Sequence, residues 1–271
     1  MGKVFDSLSP DLIEWAQKQK MFWVATAPLS SDGHINVSPK GIEGTFHIEG
    51  PNLCWYEDLS GSGVETIAHL RENGRITIMF QAFEGAARIL RLYGTGTVHE
   101  FGTPEFERLL PTDKRHISAR SAIVIDVHRV STACGWGVPK YIYKEDRSTA
   151  FDYFRKHEAA DQVIAANPSS APEGLEKQTM RYYWGNRNST SVDGLPGIAT
   201  AHESDKVPFT TRPHRFRAPA DWTDRAKMEA ADLEEPGLPI MQRRETVFIA
   251  GILLGLTLSV GSRQLAKLVS N

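Results

Sequence analysis

The chain has little cysteine, only Cys54 and Cys134 among 271 residues. Two thiols cannot build the disulfide framework of a small secreted domain. At most one bridge can form, the core must come from apolar burial, and the usage is that of a reducing compartment. An excess of one charge is also missing. Against 33 acidic side chains stand 31 basic ones, a formal net charge of -2, which leaves no field to draw the chain to nucleic acid. Met1–Trp15 contains Asp6, Asp11 and Glu14 and has neither an apolar core nor an Arg-rich amphipathic pattern, so no targeting peptide is expected there. The nine histidines show no paired ligand spacing, which argues against a metal site. Walker A, Gly-x-Ser-x-Gly and Gly-x-Gly-x-x-Gly elements are absent, and so are internal repeats and low-complexity tracts.

What is present reads as β-structure. Ser9-Pro10-Asp11 before Leu12, Ile13 and Trp15 marks a short opening helix: a hydroxyl cap, a proline at the first turn and an acid at the positive end. Met21–Thr26 and His34–Ser38, joined through Ser30–Gly33, read as a hairpin. Further strands are expected at Thr45–Ile48, Leu53–Tyr56, Arg75–Phe80, Ile89–Val98 and Ala122–Val130, where apolar and polar residues alternate. Only short helices interrupt them, Val64–Asn73 and Pro104–Leu110. With no helix long enough for repeated crossovers, the fold class is mainly β (α+β): a six- to seven-stranded antiparallel split β-barrel with short helices. The expected division is a barrel over 1–145, a helical and irregular extension over 146–242, and a hydrophobic C-terminal helix over 243–268.

Three segments could carry chemistry. Tyr56-Glu-Asp-Leu-Ser-Gly-Ser-Gly-Val-Glu-Thr66 runs from a strand through a Ser/Gly loop into a helix, with Ser62 and Glu65 spaced as a capping box. Such a loop either merely caps its helix or lets amides converge on an anion. Asn36–Gly41 ends a strand in a proline turn and leaves Lys40 at the barrel rim, as a solvated lysine or as a phosphate or ring-edge contact. In Arg88–Gly94, period two separates Arg88 from Arg91. One of them faces inward or into an interface and needs either a carboxylate such as Glu84 or Asp126 or a bound anion. Cys134, in a Gly/Pro turn, reads as a packing residue rather than a redox thiol.

In this order the motifs Asn36–Gly41, Asp58–Leu70 and Arg88–Gly94, with Cys134–Pro139 and Ser191–Pro196 beyond them, resemble the pyridoxamine 5'-phosphate oxidase-like FMN-binding split barrels, in particular a microbial and fungal branch. The resemblance implies a homodimer with FMN in the groove between subunits. It places Ser60, Gly61, Ser62 and Gly63 at the phosphate, Tyr56 and Asp58 near the flavin edge, and Lys40 and Arg88 at the rim. It implies a flavin-dependent oxidoreductase of unknown substrate; the alternatives are a noncatalytic flavin or tetrapyrrole carrier, or a membrane-attached protein that has lost its ligand. One departure stands out: the authentic oxidases have an Arg-Lys pair where this chain has Ser62-Gly63. That removes two cations and leaves weak FMN, a deazaflavin or no cofactor as further options.

At the other end Thr246–Ser262 carries no charge and is flanked by Arg243, Arg244, Arg263 and Lys267. As a helix it would span about 25 Å, close to the roughly 30 Å of a bilayer core. A tail anchor holding a cytosolic barrel to an intracellular membrane is therefore expected, against the bland alternative of a helix packed on the barrel.

Overall fold

The computed structural model describes residues 2–213. Its strands are β1 (Lys3–Phe5), β2 (Phe22–Thr26), β3 (Asn36–Lys40), β4 (Phe46–Gly50), β5 (Leu53–Leu59), β6 (Arg75–Gln81), β7 (Ile89–Glu100) and β8 (Ala119–Ala133). The helices are α1 (Pro10–Gln17), α2 (Glu65–Asn73), α3 (Pro104–Leu109), α4 (Thr149–Ala166) and α5 (Met180–Arg187). The eight strands make one antiparallel sheet in the order β3-β2-β6-β7-β8-β5-β4, and β1 pairs with β8 beside that path.

The expected strands are there, several of them longer, and β1 is an addition. Alternation explains their register: β2 and β6 bury every second residue, and Phe22, Val24, Ile78 and Phe80 point inward. The inward rings close the sheet. Phe22 on β2 and Phe46 on β4, near opposite ends of the strand order, stand 4.7 Å apart edge to face, and Phe46 meets Phe80 at 5.1 Å. The sheet therefore curls until its ends meet across a seam, where β3 approaches β5. Between the Tyr93 and Gly94 pairings the register slips by one residue, His128 being the extra one on β8, and a Cβ on Gly94 would come within 2.6 Å of the Asp126 carbonyl oxygen. The long strand can bend there only with glycine.

Helix α2 crosses one end of the barrel with Ile67 and Leu70 buried, and Gly74 in the left-handed region ends it by bonding back to Leu70. The expected capping box does not form. Val64 is the N-cap, no side chain caps the helix, and the Glu65 carboxylate instead accepts the Val192 amide at 3.2 Å.

The extension lies on the barrel as far as it is described. Glu100, at the end of β7, accepts the amides of Ala199, Thr200 and Ala201 and pairs with Arg71. Thr210 and Thr211 bond the carbonyl of Thr112. Within the extension a short 3₁₀ turn at Leu175–Gln178 precedes α5. Cys54 is buried and Cys134 exposed, both free. Among the described residues no helix is long and apolar enough to cross a membrane. The expected anchor, Thr246–Ser262, lies outside the described residues.

Candidate functional site

The seam of the barrel gathers the polar residues. Strand β3 presents Asn36, Ser38 and Lys40 on its half-buried face at period two, leaving Val37 and Pro39 outside. Ser38 donates to the Asn36 carbonyl oxygen at 2.8 Å, and the Asn36 amide donates to Thr66 at 3.0 Å and to Thr26 at 3.1 Å. Thr26 in turn meets His69 Nδ1 at 2.9 Å. His69 is buried, its Nε2 has no hydrogen-bond partner, and burial holds its pKa below the usual histidine range.

At the other end of the row Lys40 donates to Asp58 Oδ1 at 2.7 Å, across the seam from β3 to β5. Arg120, from the start of β8, donates to Asp58 Oδ2 at 2.7 Å and to the Gly63 carbonyl at 2.9 Å. Asp58 is wholly buried, which by itself would raise its pKa; Arg120 and Lys40 outweigh burial and hold it at about 2. A carboxylate thus serves two cations, and one of them reaches the Ser/Gly loop from beneath. Beside them Tyr56 is buried under the Lys40 ammonium, 5.9 Å from its ring centre, and burial pushes the phenol well above its ordinary pKa.

The loop residues divide into two pairs. The Ser60 hydroxyl donates to the Ser118 carbonyl at 2.7 Å and accepts from Trp184 Nε1 at 2.8 Å, while the Gly61 carbonyl accepts from Asn188 at 2.8 Å. These two are tied into the fold by α5 and the residue after it. Ser62 and Gly63 are exposed at the start of α2. The segment that covers Ser60 and Gly61 continues to Asp193, whose carboxylate accepts the His34 amide at 2.7 Å and meets its Nδ1 at 2.6 Å.

Arg88 lies elsewhere, in a cleft whose wall it shares with Lys40. Neither Arg88 nor Arg91 is fully buried, which relaxes the expected demand for a carboxylate or a bound anion; the Arg88 guanidinium lies 5.5 Å from the Trp15 ring centre. The structure thus brings Lys40, Tyr56, Asp58 and the Ser60–Gly63 loop together and sets Arg88 beyond Lys40. Sequence reasoning missed Arg120, Trp184 and Asn188. An arginine opening the apolar run Ala122–Val127 was the available signal, since a charge in a buried strand demands a partner. No family model matches the chain.

The chain is 38% identical over 206 residues to the pyridoxamine 5'-phosphate oxidase family protein ustO of Aspergillus flavus, a match covering 73% of this chain and 78% of that protein. Among solved structures, HupZ of Group A Streptococcus is similar with 20% identity and a TM-score of 0.37, over 45% of this chain and 91% of that one. An FMN-binding protein of Syntrophomonas wolfei is similar with 15% identity and a TM-score of 0.31, over 42% and 77%. With a relative of that identity aligned over most of both chains, and an antiparallel split barrel to match, the chain belongs to the pyridoxamine 5'-phosphate oxidase family.

Proposed function

We propose that this protein binds a flavin mononucleotide along the barrel seam and works as a flavin-dependent oxidoreductase. The observation that carries the proposal is the Lys40–Asp58–Arg120 triad beside the exposed Ser62–Gly63 turn. Arg120 answers the missing Arg-Lys pair, because it sets a guanidinium against the Gly63 carbonyl from the barrel side. The seam suits such a cofactor in three further respects. Ser62 and Gly63 leave the start of α2 open to a phosphate. The row Asn36–Ser38–Lys40 offers donors and acceptors for a polyol. The unpartnered Nε2 of His69 is a buried polar atom with hydrogen-bonding capacity to spare.

When bound, the flavin supplies the redox step. The residues hold and orient it: Lys40, bonded to Asp58, presents its ammonium at the cofactor edge, and Ser60 and Gly61 shape the loop from the fold side. Tyr56 packs beneath Lys40, and Arg88 stands at the outer rim. A homodimer accompanies this reading, since Ile35, just before β3, and Val37, on its outer side, are 75% and 59% exposed and a second copy would cover them.

The test is a titration of the full chain with FMN, followed by flavin fluorescence, and then reduction by a nicotinamide cofactor with reoxidation in air. Quenching and turnover are expected. Gly63→Val should weaken FMN at least about tenfold, because its Cβ would press on Glu65 Oε2 at 2.5 Å and stand where a phosphate approaches. A wild-type chain that quenches no FMN removes the flavin; binding without reduction leaves a carrier.

A further inference from the structure

The cleft beyond Lys40 encloses about 1080 Å³ between the end of α1, the Pro39–Ile42 turn, the β6–β7 hairpin and residues 141–147. That is at the top of the range for small-molecule sites, roughly 300–1,000 Å³. Its walls carry the cations Lys18, Lys20, Lys40, Arg88, Lys144 and Arg147. Three acids stand among them, Glu145, Glu84, which accepts the Tyr143 amide at 2.8 Å, and Asp146, which accepts the Glu43 amide at 3.1 Å; of the cations, Lys18 is paired with Glu14 and Lys40 with Asp58. The aromatic wall is ordered against those cations. Phe83 and Tyr141 meet edge to face at 5.4 Å, Lys20 lies 5.3 Å from the Tyr143 ring centre and Arg88 5.5 Å from that of Trp15.

Ile42, which lines the same cleft, has φ 73°, left-handed backbone that a β-branched residue seldom adopts. Such strain persists where surrounding structure enforces it, and it gathers at ligand sites. It comes two residues after Lys40, the side chain shared by the cleft and the seam.

We propose that this cleft is a separate binding site, adjoining the seam, for an organic anion with an extended aromatic body of more than one ring. Flat π-faces paired with cations select a planar ligand bearing a sulfonate, carboxylate or phosphate, and the volume accommodates several fused or linked rings. That this ligand is the substrate of the flavin chemistry rests on the reading of the seam given above.

The test uses 1-anilinonaphthalene-8-sulfonate as the probe, titrated into the full chain and followed by its fluorescence, with FMN affinity measured in parallel. The double variant Lys20→Glu, Lys144→Glu should bind the probe about tenfold or more weakly and FMN within twofold of wild type, with an unchanged near-ultraviolet circular dichroism spectrum. Lys20→Arg, Lys144→Arg should keep the probe affinity, separating charge from shape. Probe affinity unmoved by charge reversal overturns the proposal, and so does a parallel fall in FMN affinity, which would make the cleft the flavin's own seat. A wild-type chain that binds the probe in this charge-dependent way but takes no FMN supports the site and removes only the flavin.

Discussion

Asp58→Asn tests the joint on which the seam depends. In the native barrel the carboxylate is wholly buried, accepts from Lys40 and Arg120 at 2.7 Å each, and has the Ser121 hydroxyl at 3.4 Å. The substitution keeps the shape and removes the charge. Arg120, with only 3% of its side chain exposed, then has no counter-ion. Removing one partner of a buried ion pair costs about 3–5 kcal/mol, a large share of a typical stability on the order of 5–15 kcal/mol. Lys40→Met should cost less, because 21% of the Lys40 side chain is already exposed and Arg120 still serves Asp58. The assay is urea unfolding by tryptophan fluorescence, with a lowered midpoint and an unchanged slope expected. Acid adds an independent check. Burial raises Asp58, but Arg120 and Lys40 outweigh it and hold its folded pKa at about 2, below its ordinary 3.8. Its contribution is therefore complete above pH 3.8 and is lost as pH falls toward 2, an effect of about 2 kcal/mol that the asparagine variant should not show. A loss under about 1 kcal/mol in urea, together with an acid limb identical to wild type, would falsify the buried-triad account.

Glu158 runs the other way: burial raises its pKa to about 7, above its ordinary 4.5, while it accepts the Ser118 amide at 2.8 Å. The folded state therefore holds an extra proton between those values, and stability should fall as pH rises from 4.5 to 7, by about 3 kcal/mol. Glu158→Gln should abolish that slope in pH-resolved denaturation, and a variant with the wild-type slope refutes the assignment. Trp184→Phe deletes the 2.8 Å bond to Ser60 and leaves a cavity where part of the fully buried indole packed; a loss of about 2 kcal/mol or more is expected by urea unfolding, and an unchanged midpoint would show that this contact does not hold the extension to the barrel. For Thr246–Ser262, alkaline carbonate extraction compares the full chain with one truncated before Arg243. A bilayer-spanning tail leaves the first in the pellet and the second in the supernatant, whereas two supernatants dismiss the anchor.

The barrel was legible because a half-buried strand writes its geometry into the sequence. In β6 the alternation of Ile76, Ile78 and Phe80 with Thr77 and Met79 survives as alternating burial. Where burial does not alternate, the pattern carries no information. Lys3–Phe5 is exposed throughout and exists as β1 only because it pairs with Val130–Thr132 of β8. At the near end of β8, Ala119, Arg120 and Ser121 are all buried, so the strand begins before the apolar run that announces it. The capping box failed for a related reason: Ser62 and Glu65 have the right spacing, but the Val192 amide takes the glutamate. Spacing cannot register a competitor from another part of the chain.

The same limit governs the site. Asn36–Gly41 and Tyr56–Gly63 stood out as local motifs, because a proline turn and a Ser/Gly loop are local constraints. Which atoms of the loop remain available is decided at long range. Trp184 lies 124 positions from Ser60 and Asn188 lies 127 from Gly61, yet they take up one hydroxyl and one carbonyl of the loop. Arg120, 62 positions from Asp58, brings the charge that the motif itself lacks. Polar groups buried against partners this remote can be inferred only as unsatisfied demands, such as an arginine at the head of an apolar strand. Of the four loop residues, Ser60 gives its hydroxyl and Gly61 its carbonyl to contacts within the fold. Ser62 and Gly63 stay exposed, and Arg120 holds the Gly63 carbonyl from the barrel side.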